Sequence, residues 1–222
     1  MALLLNIDTS QETASVCIAR DECPLQLATN ENQSDHASWI HTAISDLMNS
    51  SAISLRQLDA VAVTIGPGSY TGLRVGLATA KGLCYALGLP LITVSTLKMM
   101  ANAAKKKAVD LICPMIDARR MEVYSAIYNK NLSLLSPEEA MLLDETTYQS
   151  FLAAHPILFC GSGSKKLQAL IHSSLAQFEE IQFNSLHLTE LSFHAYALQE
   201  FASLAYAEPV YIKEFYTKGR RK

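Results

Sequence analysis

Two acidic turns have the residue types and spacing that chemistry would need. Leu3-Leu4-Leu5-Asn6-Ile7 runs as an apolar strand into Asp8-Thr9-Ser10, and Leu111 to Ile116 runs the same way into Asp117-Ala118-Arg119-Arg120. A carboxylate at a strand end with hydroxyls beside it suits a metal-bound phosphate, and two such turns facing across a cleft would hold a magnesium–nucleotide. Asp8, Thr9, Ser10 and Asp117 are therefore the candidate cofactor-binding residues. Neither turn carries a glycine that would let phosphate approach the backbone, so an Asp making only turn hydrogen bonds is the competing reading. His36 and His41 are five apart, which on a helix sets them about 140° apart and denies them a shared metal. No cysteine pair has zinc spacing, and no Ser–His or Cys–His pair stands out as a nucleophile. The expectation is no metal and no catalytic residue.

The densest local signal is Ala62-Val63-Thr64-Ile65-Gly66-Pro67-Gly68-Ser69-Tyr70-Thr71-Gly72-Leu73-Arg74-Val75-Gly76. It predicts a β-branched strand, a glycine-rich loop and a helix to about Leu87. The spacing fits neither a Walker A motif nor a strict dinucleotide fingerprint. The loop either offers a helix N-terminus to an anion or simply makes a tight strand-to-helix turn. Arg74 and Lys81 are the helix's charged residues, so it is apolar nearly all round and must be covered on most faces. A sheet on one side and a partner protein on the other would do so. Gly72, Gly76 and Ala80 make a small-residue ridge, and on this reading replacing Gly76 by a bulky residue or Leu77 by Glu breaks pairing without unfolding the monomer.

Around these motifs, Thr13 to Ala19 alternates as a hairpin partner of the first strand, and Leu25-Gln26-Leu27 continues the sheet. Trp39, Ile40, Ala43, Ile44, Leu47 and Met48 recur at helical spacing over Asp35 to Met48. Leu91 to Val94 is a further strand, and Ser95 caps a helix to about Lys106. The second half begins as the first did: an apolar strand to Asp117, then an alternating strand over Met121 to Tyr128. An internal duplication follows, with units at 1–106 and 107–222 and a weakly patterned second unit. Helices are expected over Thr146 to Ala154 and Thr189 to Leu204, a short strand over Ile157 to Cys160, and a second small-residue loop at Gly161-Ser162-Gly163-Ser164.

The chain has 222 residues, half of them hydrophobic, and a net charge of -3. That is an α/β protein with core enough for two small units, and not one whose main work is gripping a phosphate backbone. The basic runs Lys105-Lys106-Lys107 and Lys218-Gly219-Arg220-Arg221-Lys222 are expected as solvated segments, with RNA contact by the tail as the minority reading. The five cysteines read as reduced thiols, most of them buried. A short apolar start without a basic flank, and no run of membrane-spanning length, predict a soluble cytoplasmic protein.

Asn6-Ile7-Asp8-Thr9-Ser10 with Ala14-Ser15-Val16, the block from Gly66 to Gly76, and Pro209-Val210-Tyr211-Ile212 together resemble the TsaB (YeaZ) family. The family supplies a non-catalytic subunit for making threonylcarbamoyladenosine in tRNA. The resemblance implies the actin/Hsp70/hexokinase-like (ASKHA) fold, two RNase H-like halves with the second reduced. It implies pairing with TsaD, recruitment of the ATPase TsaE, tRNA met through the complex, no membrane, and a homodimer when the chain is alone. It carries the interface onto the helix with His36, Trp39, Ile40, Ala43 and Leu47 and the helix with Leu73, Arg74, Gly76, Leu77, Ala80 and Lys81. The chain itself is expected to need no cofactor, with room for a nucleotide at the TsaD interface. The HxxxH motif through which TsaD binds metal is missing, and nothing in the sequence supports a peptidase.

Overall fold

Alternate residues of the first strand, Leu3–Asp8 (β1), enter two different cores, which is why the run is apolar throughout rather than alternating. Leu3, Leu5 and Ile7 pack on one face and Leu4 on the other. The computed structural model describes residues 1–32 and 35–213. Strands Ala14–Arg20 (β2) and Cys23–Asn30 (β3) extend β1 as an antiparallel meander. Ala60–Thr64 (β4) and Leu91–Val94 (β5) add to its other side in parallel, giving the order β3-β2-β1-β4-β5.

The second sheet repeats this plan. Leu111–Asp117 (β6), Glu122–Asn129 (β7) and Leu134–Leu142 (β8) form the meander. Ile157–Cys160 (β9) and Ala176–Glu179 (β10) lie parallel, in the order β10-β9-β6-β7-β8. The helices are unequal. His36–Ser50 (α1) and Tyr70–Leu87 (α2) have 15 and 18 residues, whereas their counterparts Gln149–Leu152 (α4) and Ser164–Gln168 (α5) have 4 and 5. α1 and α2 cover the outer face of the first sheet through Ile40, Leu47, Leu77 and Ala80. Thr96–Ala104 (α3) and Thr189–Ala197 (α6) fill the space between the sheets. Leu152 and Leu167 close the outer face of the second sheet. The protein is thus a mixed α/β molecule of two sheets.

Two expectations need correction, and one strand goes unanticipated. The helix expected from Thr146 shrinks to α4, because the Asp144 carboxylate accepts from both the N–H and the hydroxyl of Thr146 (2.8 and 2.7 Å) and holds a turn instead. The helix expected to Leu204 stops at Ala197: Gln199 is left-handed (φ 56°), and the chain leaves to donate from Ala202 N to Leu91 O (2.8 Å). β8, which no pattern signals, is a half-exposed edge strand whose Pro137 and paired glutamates mask its periodicity.

Candidate functional site

The Asp8 turn is closed by the protein's own glycine loop. Asp8 is fully buried; its Oδ1 accepts from Ser10 N (3.0 Å), Ser10 Oγ (2.6 Å) and Thr64 Oγ1 (2.7 Å). Its Oδ2 has no partner among the described residues. Burial pushes this carboxyl above the ordinary value, against the pull of those hydrogen bonds and of His36. Ser69 N donates to Ser10 O (2.7 Å), and Thr9 Oγ1 donates to Gly72 O (2.7 Å). A Cβ on Gly68 or Gly72 would stand 2.2 or 2.0 Å from the carbonyl oxygens of Ser10 and Thr9. Backbone therefore fills the space over the turn, and Ser69 caps α2 with its own hydroxyl. These residues do not fit a nucleotide phosphate.

Asp117 sits elsewhere in character. Its Oδ1 accepts from Arg119 N and Lys166 Nζ (both 2.6 Å). Although partial burial pulls it up, those contacts hold its carboxyl below the ordinary value. The two turns differ in character: Asp8 is buried beneath the glycine loop, whereas Asp117 is exposed and paired with Lys166.

The helix pair is brought together, with most of the named residues facing inward. His36, Ile40, Ala43 and Leu47 of α1 and Leu73, Gly76, Leu77 and Ala80 of α2 are buried in the chain's own core. His36 Nε2 lies 3.1 Å from Glu12 O. Trp39 is half-buried. A Cβ on Gly76 would stand 2.3 Å from Thr9 Oγ1, so a bulky residue there, like Glu at Leu77, disrupts folding first and is no clean test of pairing. The outward face of α2 is instead Thr71, Arg74, Ala78, Gly82 and Tyr85. Tyr85 is 84% exposed, and none of the described residues lies within 4 Å of a Cβ built on Gly82. Beside it a groove of about 640 Å³ between α1 and α2 is lined by Ile44, Met48, Ile53, Leu55, Leu83 and Leu87, among others.

A strap that no hydrophobic periodicity signals crosses α2. Lys81 Nζ donates to Ala207 O (3.1 Å) and Ala205 O (3.4 Å), and Val210 N donates to Ile65 O (2.7 Å). Arg74 Nε donates to Tyr211 Oη (2.9 Å), with its guanidinium 4.1 Å from the Tyr70 ring centre. Pro209 to Ile212, which carried part of the resemblance, belong to this strap. Lys105 and Lys107 are ion-paired to Glu190 and Glu179 (2.5 and 2.9 Å). Lys218 to Lys222 lie outside the described residues.

Among the described residues no group of three or more His, Cys, Asp and Glu is placed to hold a metal ion. All five cysteines are free thiols, Cys23 exposed and the rest buried. No helix among the described residues is long and apolar enough to cross a membrane.

The family model described as TsaD, tRNA N6-adenosine threonylcarbamoyltransferase, matches residues 29–214. The chain is 30% identical to the tRNA threonylcarbamoyladenosine biosynthesis protein TsaB of Bacillus subtilis, covering 78% of this chain and 76% of that one. It is 29% identical to the protein of that name from Haemophilus influenzae, over 95% and 93% of the two chains. The solved structure of YeaZ from Pseudomonas aeruginosa superposes with a TM-score of 0.83 at 28% identity, covering 95% of this chain and all of that one.

Proposed function

We propose, because this chain belongs to the TsaB (YeaZ) family of tRNA threonylcarbamoyladenosine biosynthesis proteins, that it serves as the non-catalytic scaffold of that modification. In this reading it pairs with a TsaD homologue through the outward faces of α1 and α2, TsaE joins the pair, and tRNA is met through the complex. Alone, the chain pairs with itself through the same faces, and it works in the cytoplasm. Its two sheets are read as RNase H-like halves of an ASKHA fold, divided near residue 106.

The observation that carries this reading is the outward face of α2. A glycine in mid-helix costs stability relative to alanine, and Gly82 has no neighbour among the described residues that requires it. With Ala78 beside it and Tyr85 standing in solvent, the face suits close approach by another helix and an aromatic anchor. Interfaces of standard size bury roughly 1,600 Å² in total, and the neighbouring apolar groove extends the face toward that size. The alternative, a small ATP-dependent phosphotransferase around Asp8 and Asp117, is opposed by the glycine loop packed over Asp8.

The test is substitution on the outward face. Ala78→Arg and Gly82→Trp are expected to keep the melting temperature of the parent chain and to lose co-purification with the same organism's TsaD homologue. Undiminished co-purification of both variants would overturn the assignment of this face.

A further inference from the structure

The turn between β6 and β7 holds two arginines in a conformation that side chains disfavour. Arg119 and Arg120 both have positive φ (69° and 50°), the region where glycine and asparagine are at home. Both side chains are exposed. Each carboxylate bordering the turn already has its own lysine. Asp117 pairs with Lys166 at 2.6 Å, and Glu122 pairs with Lys213. The two guanidinium groups make no ion pair with the described residues; the Arg119 charge helps to hold the Asp117 carboxyl down, but that carboxylate is already paired with Lys166, so the turn keeps a net positive charge. Nothing in the turn's packing calls for arginine there, and the backbone would be eased by losing it.

A second observation points the same way. The Lys213–Glu122 pair fixes the end of the strap at this hairpin, two residues after Tyr211 receives the hydrogen bond of Arg74. Arg74, its aromatic neighbours and the Arg119-Arg120 tip thus border one strap end.

We infer that the β6–β7 hairpin is a contact for the phosphate backbone of tRNA, with the forked guanidinium groups of Arg119 and Arg120 each taking a phosphate. This rests on the proposed role in tRNA modification. Arginine forks match phosphate oxygens two at a time, and cations without acidic partners are what a polyanion requires. The chain's overall negative charge confines such contact to a local patch, which fits a subunit that steadies the tRNA while its partner does the chemistry. An acidic protein surface is the competing occupant, and the experiment separates the two.

Unmodified tRNA is titrated against the full chain, alone and mixed with its TsaD homologue, over a series of salt concentrations. The variants are Arg119→Asn/Arg120→Gly and Arg119→Lys/Arg120→Lys, with protein pairing followed independently by light scattering. The Asn/Gly variant is expected to melt at or above the parent temperature and to pair normally. Its tRNA affinity should fall roughly tenfold or more, with the slope of log K against log salt smaller by about two. The double-lysine variant should keep most of the slope. Unchanged affinity and slope in the Asn/Gly variant, or no tRNA binding by the parent chain in either setting, would overturn the inference. So would lost pairing with tRNA binding intact, which would assign the hairpin to a protein partner. Failure of the parent chain to pair at all, with the salt slope still lowered by the variant, would overturn the scaffold reading and leave the hairpin contact standing.

Discussion

Gly76 and Gly82 lie less than two turns apart on α2 and look alike in sequence, yet alanine should act on them with opposite sign. At Gly76 the added methyl meets Thr9 Oγ1 at 2.3 Å and Val63 Cγ2 at 3.5 Å. Thr9 is fully buried and donates to Gly72 O, so it cannot give way without losing that bond. Overpacking of this kind costs about 1–3 kcal/mol, and the lost hydrogen bond about 1 kcal/mol more. The better helix propensity of alanine returns about 1 kcal/mol. Gly76→Ala should therefore destabilise by about 1–3 kcal/mol. At Gly82 none of the described residues lies within 4 Å, and only the propensity gain remains, about 0.5–1 kcal/mol. For a chain of this size each kcal/mol moves the melting temperature by about 2–4 °C. Thermal and urea unfolding of the two variants should thus bracket the parent, with unchanged m-values. A Gly76→Ala protein as stable as its parent would refute the close packing of α2 on the Asp8 turn.

Other perturbations follow from single contacts. The folded pKa of Asp8 is raised by burial, so the stability it confers is full below the ordinary value of 3.8 and is lost as pH rises through the folded value. Asp8→Asn, which keeps an acceptor for Ser10 and Thr64, should match or exceed the parent at pH 7, with the margin closing toward pH 4. A parent advantage growing from pH 4 to 7 would contradict this. Lys81→Met removes the donor that pins Ala205 and Ala207, and should speed amide exchange and proteolysis over residues 203–211 while leaving the sheets protected. Unchanged exchange in the strap would count against the pin. A thiol reagent should modify Cys23 alone of the five cysteines in the native chain, because burial pushes the Cys17 and Cys160 thiols up to about 12 and Cys84 to about 11. Rapid reaction of two or more thiols would contradict that burial.

What the sequence makes legible here is local. The β1 run, the glycine loop and α2 announce themselves because apolar runs, Gly66-Pro67-Gly68 and helical periodicity act over a few residues. The repeat of strand, turn and strand at Asp8 and Asp117 anticipates the second sheet for the same reason. The strap shows no periodicity, and Pro209 to Ile212 stand out only through the family resemblance: it is held by a lysine reaching two carbonyls and a backbone N–H reaching Ile65, groups every chain possesses. The end of α6 and the shrinkage of α4 depend on a left-handed Gln199 and on the Asp144 hydroxyl turn, which override propensity. The helix interface suffers most, because a helix apolar all round does not say which side is inside. Leu73, Leu77 and Ala80 face the core, while Ala78, Gly82 and Tyr85 face solvent, and only tertiary packing separates them.

The central claim is that the outward faces of α1 and α2 make this chain a pairing subunit. Light scattering on the purified full chain, alone and mixed with its TsaD homologue, tests it most directly. The account predicts a homodimer that exchanges into a one-to-one complex as the partner is added. A monomer whose mass is unchanged by the partner would contradict it.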